Sequence, residues 1–320
     1  MKTKGIKQLI KGFESGDRTS LARVLSLVER NSSADSRELG RLFAQARGVK
    51  KIGITGPPGA GKSTLINRLI AHYRKQDKQV ACVLVDPSSP ISGGAVLGDR
   101  IRMQEHFLDP GVFLRSVASR GEPGGLCRAS IEMALLLDAF GMDEIIIETV
   151  GVGQSEIEVA SIAETVLVVL TPEAGDAVQV LKAGLLEVGD IFVVNKMDRP
   201  GAQALYYELN AMFEDCYEPE ERKKVLMVSS MENQGIAELA KAVEEHRRKL
   251  DETGKDNRRE FRRRHLIELV ISEVKDELER KLLAEHPELI EEVCAARISP
   301  HQALDRLDKF FARLLKDSKK

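Results

Sequence analysis

Lys51-Ile-Gly-Ile-Thr55, followed by Gly56-Pro57-Pro58-Gly59-Ala60-Gly61-Lys62-Ser63-Thr64 and then Leu65-Ile66-Asn67-Arg68-Leu69-Ile70, is the stretch whose reading decides the fold. The first five residues form a short β-run. Leu65, Ile66, Leu69 and Ile70 return at helical spacing, and the turn between has the form GxxxxGK[ST]. Glycines in such a turn let backbone N–H groups face inward around an anion, and the N-terminus of the next helix adds partial positive charge. Gly56, Pro57, Pro58, Gly59, Ala60, Gly61, Lys62, Ser63 and Thr64 are therefore expected to cradle the phosphates of a nucleotide. Lys62 would bridge the β- and γ-phosphates, and Ser63 would give its hydroxyl to Mg²⁺.

Outward from this loop, further β-runs alternate with helical patterns: Val80–Val85, Val112–Leu114, Glu144–Ile147, Thr165–Leu170, Ile191–Val194 and Val225–Val228. That alternation predicts an α/β fold of the P-loop NTPase type, a mostly parallel sheet with helices on both faces. The flanks read differently. Before it, Leu21, Val24, Leu25, Val28, Leu39, Leu42 and Phe43 mark a helical N-terminal segment, 1–48. The nucleotide domain is expected over 49–252. A helical arm, 253–320, carries Leu266, Ile267, Val270, Ile271, Val274 and Leu278 on one face, and Ser299-Pro300 reads as an N-cap followed by proline at the first helical position. So long an amphipathic arm must bury its stripe on the main domain or on a second subunit, and a homodimer is the favoured expectation.

Hydrophobic residues make up 42% of the 320 residues and charged ones 31%, a globular composition. The net charge of −2 supports neither a nucleic-acid nor a membrane partner, since both need a strong positive field. Cys82, Cys127, Cys216 and Cys294 are scattered without a CxxC pair, which argues against disulfides and thiolate metal sites. The first residues lack the apolar core of an export signal, and the expected location is cytoplasmic.

Phosphoryl transfer needs acids around Mg²⁺ and a group that senses the γ-phosphate. Asp86 ends the second β-run, Asp99 follows a glycine-rich stretch, and Glu148 ends the fourth run. Acids at the carboxyl ends of strands face the ligand crevice of an open α/β sheet. Ser63, Asp86, Asp99 and Glu148 are thus the expected metal ligands. Gly151 can offer its N–H to the γ-phosphate, and Gln154 can position the attacking water; Lys62, Glu148 and Gln154 form the expected catalytic set. The sixth run leads into Asn195-Lys196-Met197-Asp198. A carboxylate there accepts both the ring N–H and the amino group of guanine, a donor pair that adenine lacks, so Asp198 selects GTP over ATP. Asn195 ties the base to the phosphate loop, the Lys196 stem lies along the purine, and Ser229, Ser230 and Met231 supply backbone N–H groups to the guanine carbonyl. Mg²⁺ is the expected cofactor, with GTP and GDP as substrate and product. No arginine finger stands out, so intrinsic hydrolysis is expected to be slow. Arg115 and Arg120, near Gly124 and Gly125, fit phosphate contact and a structural or partner-binding role equally. His72 and His106 read as exposed, and Arg258–Arg264 as a solvated helix face.

With these motifs in place, the chain resembles the MeaB/ArgK family of P-loop GTPases, the methylmalonyl-CoA mutase-associated proteins. The likeness rests on Gly56 to Thr64, Asp86 to Gly94 with Leu97 to Met103, Arg120 to Gly125, and Glu148 to Glu156. It implies a GTPase that docks on an adenosylcobalamin-dependent acyl-CoA mutase, gates cofactor loading and protects or reactivates the mutase. It also implies switch segments at Asp86 to Arg102, Glu148 to Glu156 and Glu173 to Gln179 with Lys182, and a C-terminal dimerisation arm. Two other readings stand beside it. A nickel-type metallochaperone GTPase needs a metal-binding device, which 6 scattered histidines do not supply. A transport-linked ATPase or kinase for basic amino acids conflicts with Asn195–Asp198.

Overall fold

The computed structural model describes residues 3–29, 39–86, 103–118, 128–149, 159–172, 184–253 and 258–307. Its strands are β1 (Lys51–Thr55), β2 (Val80–Asp86), β3 (Val112–Ala118), β4 (Glu144–Thr149), β5 (Thr165–Leu170), β6 (Ile191–Val194) and β7 (Lys224–Met227). Among the described residues they form one seven-stranded sheet, in the order β3-β2-β4-β1-β5-β6-β7, with every pair parallel. Every residue of β1, β4, β5 and β6 is buried, as a sheet covered on both faces requires. β3 runs four residues beyond its apolar start, paired with β2 as far as Ala118.

The main helices among the described residues are α1 (Thr3–Glu14), α2 (Arg18–Glu29), α3 (Lys62–Arg74), α4 (Arg128–Phe140), α5 (Ala202–Cys216), α6 (Ile236–Thr253), α7 (Arg258–Glu285), α8 (Pro287–Cys294) and α9 (Pro300–Arg306). On one face of the sheet, Leu65, Ile66 and Leu69 of α3 join Leu239 and Val243 of α6 over Ile52, Ile54, Ile146 and Val169. On the other, residues of α1, α2, α4 and α5 share a core with Val83, Ile145, Ile147, Val168 and Phe192. Gly53 of β1 faces this second layer, where a Cβ would stand 2.5 Å from Val159 Cγ2, so glycine lets the 3-10 turn Val159–Ser161 close onto the strand.

The N-terminal helices are fastened to edge strand β3. Arg18 donates to the carbonyls of Pro110 and Val112, and Arg115 of β3 pairs with Ser26 and Glu29 of α2. Arg115 is thus spent on packing. His106, expected at the surface, is buried: it ends a short 3-10 turn, and its Nε2 lies 3.2 Å from the carbonyl of Asn67 on α3.

At the amino end of the sheet, Glu144 is nearly sealed from solvent, and two cations share its carboxylate. Lys78 Nζ lies 2.7 Å from Oε1 and Arg247 of α6 lies 2.8 Å from Oε2; Arg247 also donates to the Lys50 carbonyl at 2.8 Å. Burial first, then the Glu144 charge, pushes the Tyr73 hydroxyl well above its ordinary pKa.

The chain divides into two compact units, residues 1–265 and 266–320. In the second, Ser299 caps α9 as read from the sequence: its Oγ accepts from Gln302 N at 3.2 Å, and Gln302 Oε1 accepts from Ser299 N at 2.9 Å. Along α7, Leu266, Ile267, Val270, Ile271 and Val274 are exposed.

Breaking a buried ion pair leaves an uncompensated charge, whereas removing both partners need not. Arg247→Met is expected to lower the unfolding free energy by about 3 kcal/mol. Glu144→Met combined with Arg247→Met should cost less than that single change, because Lys78 can then turn to Glu244, already 3.7 Å away. Urea titrations of the two variants measure the difference.

Candidate functional site

The site lies at the carboxyl ends of the strands. β1 ends at Thr55 and the chain enters a loop whose glycines adopt conformations that residues with a Cβ rarely take: φ is 136° at Gly56, 77° at Gly59 and 86° at Gly61. Gly61 is also the N-cap of α3 and has no side chain to cover the first-turn N–H groups, so this end of the helix keeps its affinity for anions. Lys62 and Ser63 open the helix and are both buried. The Lys62 ammonium folds back over its own loop, 2.6 Å from the Gly56 carbonyl and 3.1 Å from that of Pro57. Thr64 follows, half-buried, and Pro57, Pro58, Gly59 and Ala60 form the turn itself.

β4 lies beside β1, with Ile54 paired to Glu148, so the last turn of the sheet delivers a carboxylate to the loop. Ser63 Oγ donates to Glu148 Oε1 at 3.0 Å, with Glu148 only 8% exposed. Next to them Thr149 Oγ1 donates to Thr55 Oγ1 at 3.1 Å. Burial, helped by the Glu148 charge, pushes the thiol of Cys82 far up and keeps it protonated.

The second half of the site follows β6 and β7. Asn195 binds three strands of backbone together. Its own N–H donates to the Leu170 carbonyl at 2.8 Å, its Nδ2 donates to the Ala60 carbonyl at 2.8 Å, and its Oδ1 accepts from Ser230 Oγ at 2.8 Å and from Ser230 N at 3.2 Å. Gly61 must be glycine for this contact as well as for its φ, since a Cβ would stand 2.4 Å from Asn195 Nδ2. Lys196 sits at φ 56°, a left-handed conformation that costs a non-glycine residue free energy. The turn is held by Met197 N donating to the Val228 carbonyl at 3.0 Å and Arg199 N donating to the Lys196 carbonyl at 2.8 Å. Asp198 Oδ1 accepts from Ser229 Oγ at 2.9 Å, and its other oxygen lies 3.7 Å from Arg199 Nε. Met231, at the tip of this loop, is 75% exposed.

The phosphate loop, Glu148, the 195–198 turn and the 229–231 loop thus form one hydrogen-bonded array, assembled from residues expected to work together. Asp99, Gly151 and Gln154 lie outside the described residues, as do Arg120, Gly124, Gly125 and Lys182. Asp86 is the last residue of β2, and only its backbone is described. Among the described residues, no group of three or more His, Cys, Asp or Glu side chains is arranged to hold a metal ion. The sequence reading missed Arg68 of α3, whose Nε donates to the Ser230 carbonyl at 2.9 Å. Helical spacing places it between core positions but says nothing of a partner 162 residues away.

An all-parallel sheet with a glycine loop leading into a helix, joined side by side with an NKxD turn, defines a P-loop GTPase. A family model described as methylmalonyl Co-A mutase-associated GTPase MeaB matches residues 21–286, and the chain belongs to that family. A GTPase of Pyrococcus abyssi is 41% identical over 311 residues, covering 95% of this chain and 96% of its own. The Caenorhabditis elegans protein named methylmalonic aciduria type A homolog, mitochondrial, is 31% identical over 336 residues, covering 96% of this chain and 83% of its own. Among solved structures, one described as a LAO/AO transport system kinase has a TM-score of 0.68 at 25% identity and spans 98% of this chain and 99% of its own.

Removing the Asn195 side chain leaves the Ala60 carbonyl and the Ser230 hydroxyl without it. Asn195→Ala is expected to destabilise the first unit by about 2 kcal/mol, read by chemical denaturation in the absence of nucleotide.

Proposed function

We propose that this GTPase holds GTP through the residues just described and acts as a nucleotide-driven switch on an adenosylcobalamin-dependent acyl-CoA mutase, with methylmalonyl-CoA mutase the first candidate. The observation that carries the nucleotide reading is the Ala60–Asn195–Ser230 bridge, which supports phosphate and base loops working on one ligand. In this reading the Gly56–Thr64 loop wraps the phosphates. Lys62 exchanges its two loop carbonyls for phosphate oxygens, a change of partners that costs the ammonium little. Asp198 accepts from the guanine edge with its carboxylate held in place by Ser229, while Met231 offers a backbone donor to the base carbonyl; the Ser230 N–H, which the sequence also assigns there, is taken by Asn195 Oδ1 at 3.2 Å.

Ser63 Oγ and Glu148 Oε1, 3.0 Å apart, are hard oxygen donors of the kind Mg²⁺ prefers, and the donor chemistry fits the ion. We assign Asp86 and Asp99 as further ligands, each on its place in the sequence. Bound there, the ion would supply positive charge to the phosphate oxygens. Glu148 fixes the Ser63 hydroxyl before any ligand arrives. Gly151 is assigned to the γ-phosphate and Gln154 to the attacking water, each on its place in the sequence after β4.

The mutase partner is supported by the description of the family and by the printed name of the C. elegans relative. We take residues 49–252 as the nucleotide domain, 1–48 as its N-terminal segment and 253–320 as a dimerisation arm. The exposed apolar residues of α7 support a homodimer through that arm. A transport-linked kinase reading has the description of the solved relative behind it, but Asp198 and its Ser229 support favour guanine over adenine. We place the protein in the cytoplasm, with protein rather than nucleic-acid or membrane partners.

Lys62→Ala is expected to weaken GTP binding by roughly 100-fold, the loss of a charge-assisted contact, as measured by calorimetry with Mg²⁺ present. Unchanged affinity would remove the loop from the site. Purified methylmalonyl-CoA mutase should bind the chain with different affinities in its GDP-bound and GTP-analogue-bound forms; no complex in either form would sink the partner assignment. Ile267→Glu with Val274→Glu should give a monomer by light scattering, and an unchanged dimer would move the interface elsewhere.

A further inference from the structure

We infer that Arg68 is a positioning residue for base selection, acting through the 229–231 loop; this rests on the guanine reading of that loop given above. Arg68 lies on α3, the helix whose first turn belongs to the phosphate loop. Leu65, Ile66, Leu69 and Ile70 are fully buried against the sheet, so the helix is a fixed platform. From it, Arg68 Nε reaches the Ser230 carbonyl at 2.9 Å, and its NH2 group lies 3.5 Å from the Met231 carbonyl.

The direction of these contacts matters. A trans peptide is planar, with its C=O and N–H pointing opposite ways. Holding the Ser230 carbonyl toward Arg68 therefore aims the Met231 N–H away from α3. Ser230 N is already drawn toward Asn195 Oδ1 at 3.2 Å, and Glu232 N toward Ser229 Oγ at 3.4 Å. The Met231 N–H is the donor whose orientation Arg68 governs, and its target is the 6-carbonyl of guanine. The same N–H repels the 6-amino group of adenine, which offers a donor in that place. Met231 itself is 75% exposed, so its side chain does little to hold the peptide and the planar guanidinium supplies the order.

The test compares how well GDP, IDP and ADP compete for a fluorescent GDP analogue on wild-type protein, Arg68→Ala and Arg68→Lys. IDP keeps the 6-carbonyl and lacks only the amino group assigned to Asp198. Arg68→Ala should weaken GDP and IDP together by about tenfold, the worth of one hydrogen bond to a charged group, and lower the GDP-to-ADP preference by a similar factor. The GDP-to-IDP ratio should hold, and Arg68→Lys should restore part of the loss. General loosening of the fold would move all three nucleotides alike. An unchanged GDP-to-ADP preference in Arg68→Ala, with wild-type protein strongly preferring GDP, overturns the inference and leaves the base site standing. A wild-type protein that does not prefer GDP to ADP overturns the base reading itself and this inference with it. Should Arg68→Ala fail to fold, Arg68→Gln carries the same comparison.

Discussion

The amide of Asn195 is the contact on which the ligand end of this molecule depends. It is one side chain with a donor and an acceptor at opposite corners, and both are used on other loops. Loops at the carboxyl ends of parallel strands lie beyond the ladder, so side chains carry much of the work of setting their relative positions. Here a single buried group sets the spacing between the loop that follows β1 and the loop that follows β7. Gly61 yields its Cβ to make room for it, and Lys196 accepts a left-handed backbone beside it. Such local costs are borne where geometry matters more than stability.

The two ends of the sheet are built on different principles. At the amino ends, Glu144 sits between Lys78 and Arg247 with its charge sealed in and matched. At the carboxyl ends, Lys62 lies against the carbonyls of Gly56 and Pro57, and Glu148 accepts from the Ser63 hydroxyl. A cation bound to carbonyls can exchange them for a stronger partner. An ion pair that is already complete has nothing to gain from a ligand.

Much of this was open to reading in the sequence. The strands declared themselves because a sheet covered on both faces needs uninterrupted apolar runs, and Gly56–Ser63 and Asn195–Asp198 are patterns whose chemistry fixes their spacing. Ser299 was readable for the same local reason. What escaped were contacts between residues far apart in the chain. Arg68 meets the Ser230 carbonyl across 162 positions, Arg247 meets Glu144 across 103, and His106 is buried by a carbonyl 39 positions away. Periodicity tells which face of an element is apolar and not which polar side chain on its flank will find a carbonyl. Arg115 shows the same limit, since a cation near glycines suits a phosphate and a half-buried glutamate equally well until the fold decides between them.

The fastening of the N-terminal helices has a meaning beyond their own packing. β3 is the outermost strand on its side of the sheet, and an outermost strand offers unpaired backbone groups to any extended chain that meets it. Arg18 takes the Val112 carbonyl at the start of β3, and α2 is anchored to the same strand through Arg115. The opposite border needs less protection, because β7 is only four residues long and begins with the exposed Lys224. The helical preface thus serves as a guard against strand addition, keeping a sheet of largely apolar strands from recruiting others like itself.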